Sequence, residues 1–170
     1  MVTVVIGGSG SGKSEYAENL AVQLGQDNLI YIATMEPFGK ESKSRIKKHQ
    51  AMRSSKNFKT IECFTGLDKL LLPAGNTVLL ECMSNLAANE MFSDSGTKEN
   101  VFAVIQKGIM NLSKQSNHLI IVTNNVFEDG CNYSNETLEY IKLLGHINQW
   151  MSSIADQVIE VIHGIPVVIK

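Results

Sequence analysis

Residues 7–14 read Gly-Gly-Ser-Gly-Ser-Gly-Lys-Ser, a fit to the pattern G-x-x-x-x-G-K-[ST]. A loop of this composition can turn consecutive backbone N–H groups inward around phosphate oxygens. Gly7, Gly8, Ser9, Gly10, Ser11 and Gly12 would supply that cradle, with the partial positive charge of a following helix N-terminus behind it. Lys13 can reach the β- and γ-phosphates as a point charge, and the Ser14 hydroxyl can ligate Mg²⁺. Nucleoside triphosphate binding follows from the motif. Two carboxylates, Glu62 and Glu81, each end an apolar run, where a Walker-B-type acid or a base or ribose contact would stand. The spacing does not separate metal binding from nucleoside binding for either.

A second constellation lies at Arg45, His49 and Arg53, spaced i, i+4, i+8 and therefore along one face of a helix. Like charge disfavours protonation of a neutral imidazole flanked by two guanidiniums, which would leave a ring nitrogen free as nucleophile. The guanidiniums themselves suit a phosphate. That is an arrangement for attack on phosphorus, although the same spacing fits a solvated histidine on a basic face. Residues 40–59 hold eight of the fifteen Lys and Arg against Glu41 alone, so this stretch is +7 and the rest of the chain −9. An anionic ligand is expected there.

The elements that must position these groups alternate regularly. Residues 2–6, 29–33, 58–63, 77–82 and 119–123 are apolar, β-branched-rich runs expected to be strands. Helices are expected over 14–24, 40–53, 98–116 and 135–155. In the third, Val101, Ile105, Ile109 and Leu112 face inward. In the fourth, behind a Ser134/Asn135 cap, Leu138, Ile141, Leu144, Ile147, Met151 and Ile154 do so. Residues 158–162 and 167–169, separated by His163-Gly-Ile-Pro, read as a hairpin at a sheet edge. The pattern implies one α/β domain over residues 1–170, a three-layer, mainly parallel sheet of the P-loop NTPase type.

The composition excludes several classes. With 170 residues, 44% hydrophobic and only three prolines, the chain can bury a core and is not a disordered tail. No apolar run is long enough to span a bilayer, and the N-terminus lacks a signal peptide's basic region. Cys63, Cys82 and Cys131 are odd in number and widely spaced, which fits a reducing cytoplasm. The guanine-reading N-K-x-D of switch GTPases is absent, since Asn124-Asn125-Val126-Phe127 has neither the Lys nor the Asp. A small-molecule transferase remains. Nucleic-acid binding by the basic segment is disfavoured, because Phe58 is its only aromatic and the overall charge is −2.

Across nearly its whole length the sequence resembles the bifunctional adenosylcobinamide kinase / adenosylcobinamide-phosphate guanylyltransferases of cobalamin biosynthesis. The resemblance is carried by Gly7-Gly8 and the Ser-Gly-Lys-Ser turn, Tyr31-Ile-Ala-Thr34, and Arg45-Ile46-x-x-His49 with Arg53. It continues through Thr60-Ile-Glu62-Cys63, Leu79-Leu-Glu81-Cys82, Val122-Thr-Asn124, Gly145-x-x-Asn148-Gln149, Ala155-Asp156 and Gly164-Ile-Pro. It implies two reactions on one P-loop fold: phosphorylation of the corrinoid side-chain hydroxyl by ATP or GTP, then GMP transfer from GTP through a guanylylated His49. It also implies Ala33, Thr34 and Gln50 as nucleotide-binding positions beside Arg45, Arg53, Glu62 and Glu81, and a homo-oligomer, usually a trimer. The chain departs from the family pattern where Gln50 replaces Lys, Ser54 replaces Pro, Phe58 replaces Trp, and Asn125-Val126-Phe127 replaces a loop that usually begins Glu, then Gly. The stretch Leu138-Glu-Tyr-Ile-Lys-Leu-Leu stands where an Arg-rich one is usual. The rival reading is a small-molecule P-loop kinase that transfers in line without a covalent nucleotide.

Overall fold

A computed structural model describes residues 1–25, 28–126 and 133–170. Phe127 and Cys131 lie outside the described residues. The chain runs β1 (Val2–Gly7), α1 (Lys13–Gly25), β2 (Leu29–Ala33), α2 (Gly39–Arg53), β3 (Lys59–Glu62) and a 3₁₀ turn (Leu67–Lys69). It continues β4 (Asn76–Leu80), α3 (Met83–Phe92), α4 (Val101–Gln115), β5 (Ser116–Asn124), α5 (Asn135–Ile154), β6 (Gln157–Ile162) and β7 (Ile165–Val168).

The seven strands form one sheet in the order β3-β2-β4-β5-β1-β6-β7. Every neighbouring pair is parallel except β6 and β7. Alternate residues of the central strands feed two core layers, as the two-residue period of a strand requires. Val5, Tyr31, Leu79, Ile120, Val122 and Ile159 pack under α1 through Ala17 and Ala21. Val4, Ile32, Val78, Leu80, Ile121 and Val158 pack against α3, α4 and α5. Because both faces are covered, these strands read as continuous apolar runs rather than alternating ones.

The inward residues expected of α4 are all buried, and Ser134 caps α5 by accepting from the Thr137 N–H. Leu138 is a correction. It is 40% exposed, because the first turn of α5 extends beyond the apolar layer that Leu144, Ile147 and Met151 fill. The hairpin also closes more tightly than expected, with only His163 and Gly164 between the strands. Pro166 is accommodated inside β7 opposite Val161. That pair is one step from the closing pair Ile162–Ile165, a position where no ladder N–H is needed.

Helix α3 has no counterpart in the sequence reading. It starts directly after Cys82, two residues beyond β4, so its apolar residues prolong the strand's run and hide the change of period.

Candidate functional site: the P-loop cavity

In a parallel sheet the carboxyl ends of the strands open into one crevice. Here β1, β5 and β4 end together, with Gly7 registered on Asn124. A cavity of about 1000 Å³ opens above them. Its floor is the loop Ser9–Ser14 at the start of α1, and one wall is α2, through Arg45, Lys48, His49 and Met52. The opposite wall comes from Glu81, Cys82 and Asn85 after β4, from Asn124 at the end of β5 and from Asn125 and Val126 beyond it.

The P-loop is locked by backbone bonds. Ser11 N donates to Gly8 O at 3.2 Å, Tyr16 N to Gly12 O at 3.0 Å and Asn125 N to Gly7 O at 3.2 Å. Gly7 has no room for a side chain: a Cβ there would stand 2.6 Å from both Ser11 Oγ and the Val161 carbonyl. Lys13 is largely buried, and its Nζ donates to the Gly8 carbonyl at 2.9 Å. Burial pushes its pKa below the usual lysine value, and nearby Cys82 acts weakly the other way. A phosphate would replace that carbonyl as the partner and restore the lysine's preference for charge.

His49 stands on the α2 wall, with Nδ1 buried and without a hydrogen-bond partner. Arg45 lines the same wall, but Arg53 does not. The guanidinium of Arg53 turns down onto the Tyr31 ring, 3.8 Å from its centroid, and the residue is 8% exposed. The three residues share a helical spacing, yet tertiary packing divides their roles. Lys48, which the helical spacing did not single out, lies in the cavity in place of Arg53.

Glu81 is 7% exposed, and its Oε2 accepts from the N–H groups of Thr34 at 2.9 Å and Met35 at 3.4 Å. The carboxylate therefore ties the end of β2 to the end of β4. Thr34 Oγ1 adds a bond to the Cys82 carbonyl at 2.9 Å, and Asn89 Nδ2 donates to Thr34 O at 2.8 Å. Burial raises the Tyr31 hydroxyl pKa far above its ordinary value, and Glu81 adds to the effect. Burial likewise pushes up the Cys82 thiol, opposed by the Asn85 amide at the start of α3.

Glu62 is exposed at the end of the edge strand β3, and Gln50 is exposed on α2; neither is among the residues lining the cavity. Ala33 and Thr34 sit behind the cavity wall at the end of β2. Asn85, Met52 and Cys82 line the cavity without having been singled out. Cys82 and Asn85 flank the start of α3, a helix the sequence pattern did not reveal, and Met52 follows His49 by three residues on α2.

Ser14 is at the cavity floor, and no cluster of three His, Cys, Asp or Glu that could hold a metal occurs among the described residues. One hydroxyl beside a phosphate cradle fits Mg²⁺, which keeps waters and takes phosphate oxygens rather than an all-protein cage.

A family model described as cobinamide kinase / cobinamide phosphate guanyltransferase matches residues 3–169. The chain belongs to that family. Membership makes it a transferase of cobalamin biosynthesis. Among curated relatives, the "Bifunctional adenosylcobalamin biosynthesis protein CobU" of Escherichia coli K12 is 30% identical, with all of both chains covered. The CobU protein of Salmonella typhimurium LT2 is 29% identical over the same full coverage. The "Bifunctional adenosylcobalamin biosynthesis protein CobP" of Pseudomonas aeruginosa is 25% identical, covering all of this chain and 98% of the relative.

Among solved structures, a prototypical ATPase from the type III secretion system of pathogenic bacteria superposes with a TM-score of 0.53 at 16% identity. That match covers 94% of this chain and about half (51%) of the ATPase chain. The likeness supports the P-loop NTPase fold expected from the motif and the strand–helix alternation. No helix among the described residues is long and apolar enough to cross a membrane.

Proposed function

We propose that this chain phosphorylates the side-chain hydroxyl of adenosylcobinamide with ATP or GTP, then transfers GMP from GTP onto the new phosphate through a guanylylated His49. One observation carries the reading: His49 shares a cavity with the P-loop, and its buried Nδ1 has no protein partner.

In the guanylyl step, a lone pair of the imidazole attacks the α-phosphorus of GTP as the α–β P–O bond breaks. Pyrophosphate leaves, and the P-loop amides and Lys13 already hold its oxygens. Arg45 and Lys48 line the same wall and would neutralise charge gathering on the phosphoryl group. A phosphate oxygen of the corrinoid phosphate then attacks the phosphoramidate, the P–N bond breaks, and His49 is regenerated. The kinase step needs no covalent nucleotide, because the hydroxyl attacks the γ-phosphorus directly and ADP or GDP departs.

Ser14 would hold Mg²⁺ together with the nucleotide phosphates. The ion would supply neutralisation of the charge on the nucleotide phosphates. Glu62, Glu81 and Gln50 serve nucleotide recognition, with Ala33 and Thr34 shaping the same wall. Arg53 acts beneath it, through Tyr31. The family resemblance supports a homo-oligomer, a trimer, and the odd, widely spaced cysteines fit a reducing cytoplasm, with residues 1–170 working as one domain.

Incubation with GTP labelled at the α-phosphate, followed by denaturation, tests the reading. Label should remain on the chain, be lost in acid and survive base, as a phosphoramidate does. His49→Ala should abolish the label and GMP transfer while corrinoid phosphorylation continues. Label that persists in His49→Ala, or no label with GMP transfer intact, would overturn the covalent route and favour a P-loop kinase acting only in line.

A further inference from the structure

All four residues of β7 are exposed, and the strand adds no side chain to either core layer. An edge strand bearing Ile165, Val167 and Val168 in the open is an aggregation liability. What β7 does provide is the placement of its turn. Gly164 donates its N–H to the Ser11 carbonyl at 2.7 Å, joining the far end of the chain to the P-loop. Its Cα lies 3.3 Å from where a Cβ on Gly12 would stand, so the two backbones touch.

A trans peptide fixes its C=O and N–H in opposite directions. Holding the Ser11 carbonyl toward the turn therefore holds the Gly12 N–H away from it, on the phosphate side of the loop. We propose that Gly164 is a positioning residue for nucleotide binding, and that the β6–β7 hairpin is a brace orienting the Ser11–Gly12 peptide. The proposal rests on the P-loop reading above.

The brace is fixed at both ends. His163 (φ 50°) and Gly164 (φ 82°) are both left-handed, the pairing that a two-residue type I′ hairpin turn demands. At the other end the Lys170 ammonium donates to the carbonyls of Ser152, Ser153 and Ala155 where α5 finishes. The Lys170 carbonyl accepts from Val158 N at 3.1 Å.

Titration of the full chain with a fluorescent GTP analogue, beside melting without nucleotide, tests the proposal. A Cβ on Gly164 meets nothing within 4 Å, so Gly164→Ala acts only through its backbone preference. It should weaken binding about fivefold or more. Gly164→Asn, which keeps the N–H and tolerates left-handed φ, should bind within about twofold of the native chain. Lys170→Ala removes the ammonium's hold on the end of α5 without touching the loop and should shift affinity in the same direction as Gly164→Ala. Native affinity in Gly164→Ala, or a lowered melting temperature with affinity unchanged in both Gly164→Ala and Lys170→Ala, would overturn the brace. Lys13→Ala binding as tightly as the native chain would instead overturn the P-loop reading on which it rests.

Discussion

The Arg53 guanidinium lies 3.8 Å from the centre of the Tyr31 ring, and this stack seats the C-terminal end of α2 on the sheet. The helix has no fully buried apolar residue among those described. Just beyond it, Lys56 Nζ meets the buried Glu18 carboxylate at 2.9 Å. A basic helix carrying the candidate nucleophile is thus held by two cations at its exit rather than by an apolar stripe.

The Arg53–Tyr31 contact should appear as a coupling energy. Arg53→Ala and Tyr31→Leu, singly and together, are expected to show an interaction of about 2 kcal/mol in denaturant melts. Labelling of His49 should slow in both single variants, because the helix is less firmly placed. Additive melts would mean that the stack does not anchor α2.

Lys13→Ala should lower both half-reactions about a hundredfold or more, since one phosphate cradle serves both. The fold should persist, because the Lys13 ammonium bonds within its own loop, to the Gly8 carbonyl. Near-native GMP transfer in this variant would require a second nucleotide site.

Affinity for nucleotide should fall at alkaline pH. Burial lowers the Lys13 pKa in the free chain, and bound phosphate raises it again. Binding is then strongest below the free-chain value and weakens as pH rises from there toward the pKa of the complex, with proton uptake on binding in that window. For folding the sign is opposite. The unfolded chain binds the extra proton between the lowered value and the usual lysine value, so Lys13 makes stability rise with pH there. Calorimetry in buffers of different ionisation enthalpy would read the uptake, and Lys13→Met should remove it.

Glu81→Gln and Glu62→Gln should both weaken GTP use, with different signatures. Glu81 accepts two backbone N–H bonds inside the protein, so losing its charge should also cost about 1–2 kcal/mol of stability. Glu62 is exposed, so its variant should raise the KM for GTP with an unchanged melting temperature. Native kinetics in both would remove the two glutamates from nucleotide recognition.

The P-loop, the central strands and the inward faces of α4 and much of α5 were legible because each is a local matter. Eight consecutive residues define the cradle, and a strand or helix writes its period into its own neighbours. The hidden start of α3 and the exposed Leu138 mark the limit, since one depends on where a period changes and the other on how far a core layer extends.

The sequence by itself determined the phosphate cradle, the parallel α/β plan, and the placing of Arg45, His49 and Arg53 on one helix. It could not divide those three, because i, i+4 spacing assigns a shared face and says nothing of what each long side chain meets. Only the tertiary structure turned Arg53 onto Tyr31, brought His49 to the P-loop cavity and set Gly164 against Ser11. Those contacts join residues distant along the chain, and no local periodicity encodes them. Gly164 reaches Ser11, for example, because β6 lies beside β1, an order that becomes fixed only when the whole sheet assembles.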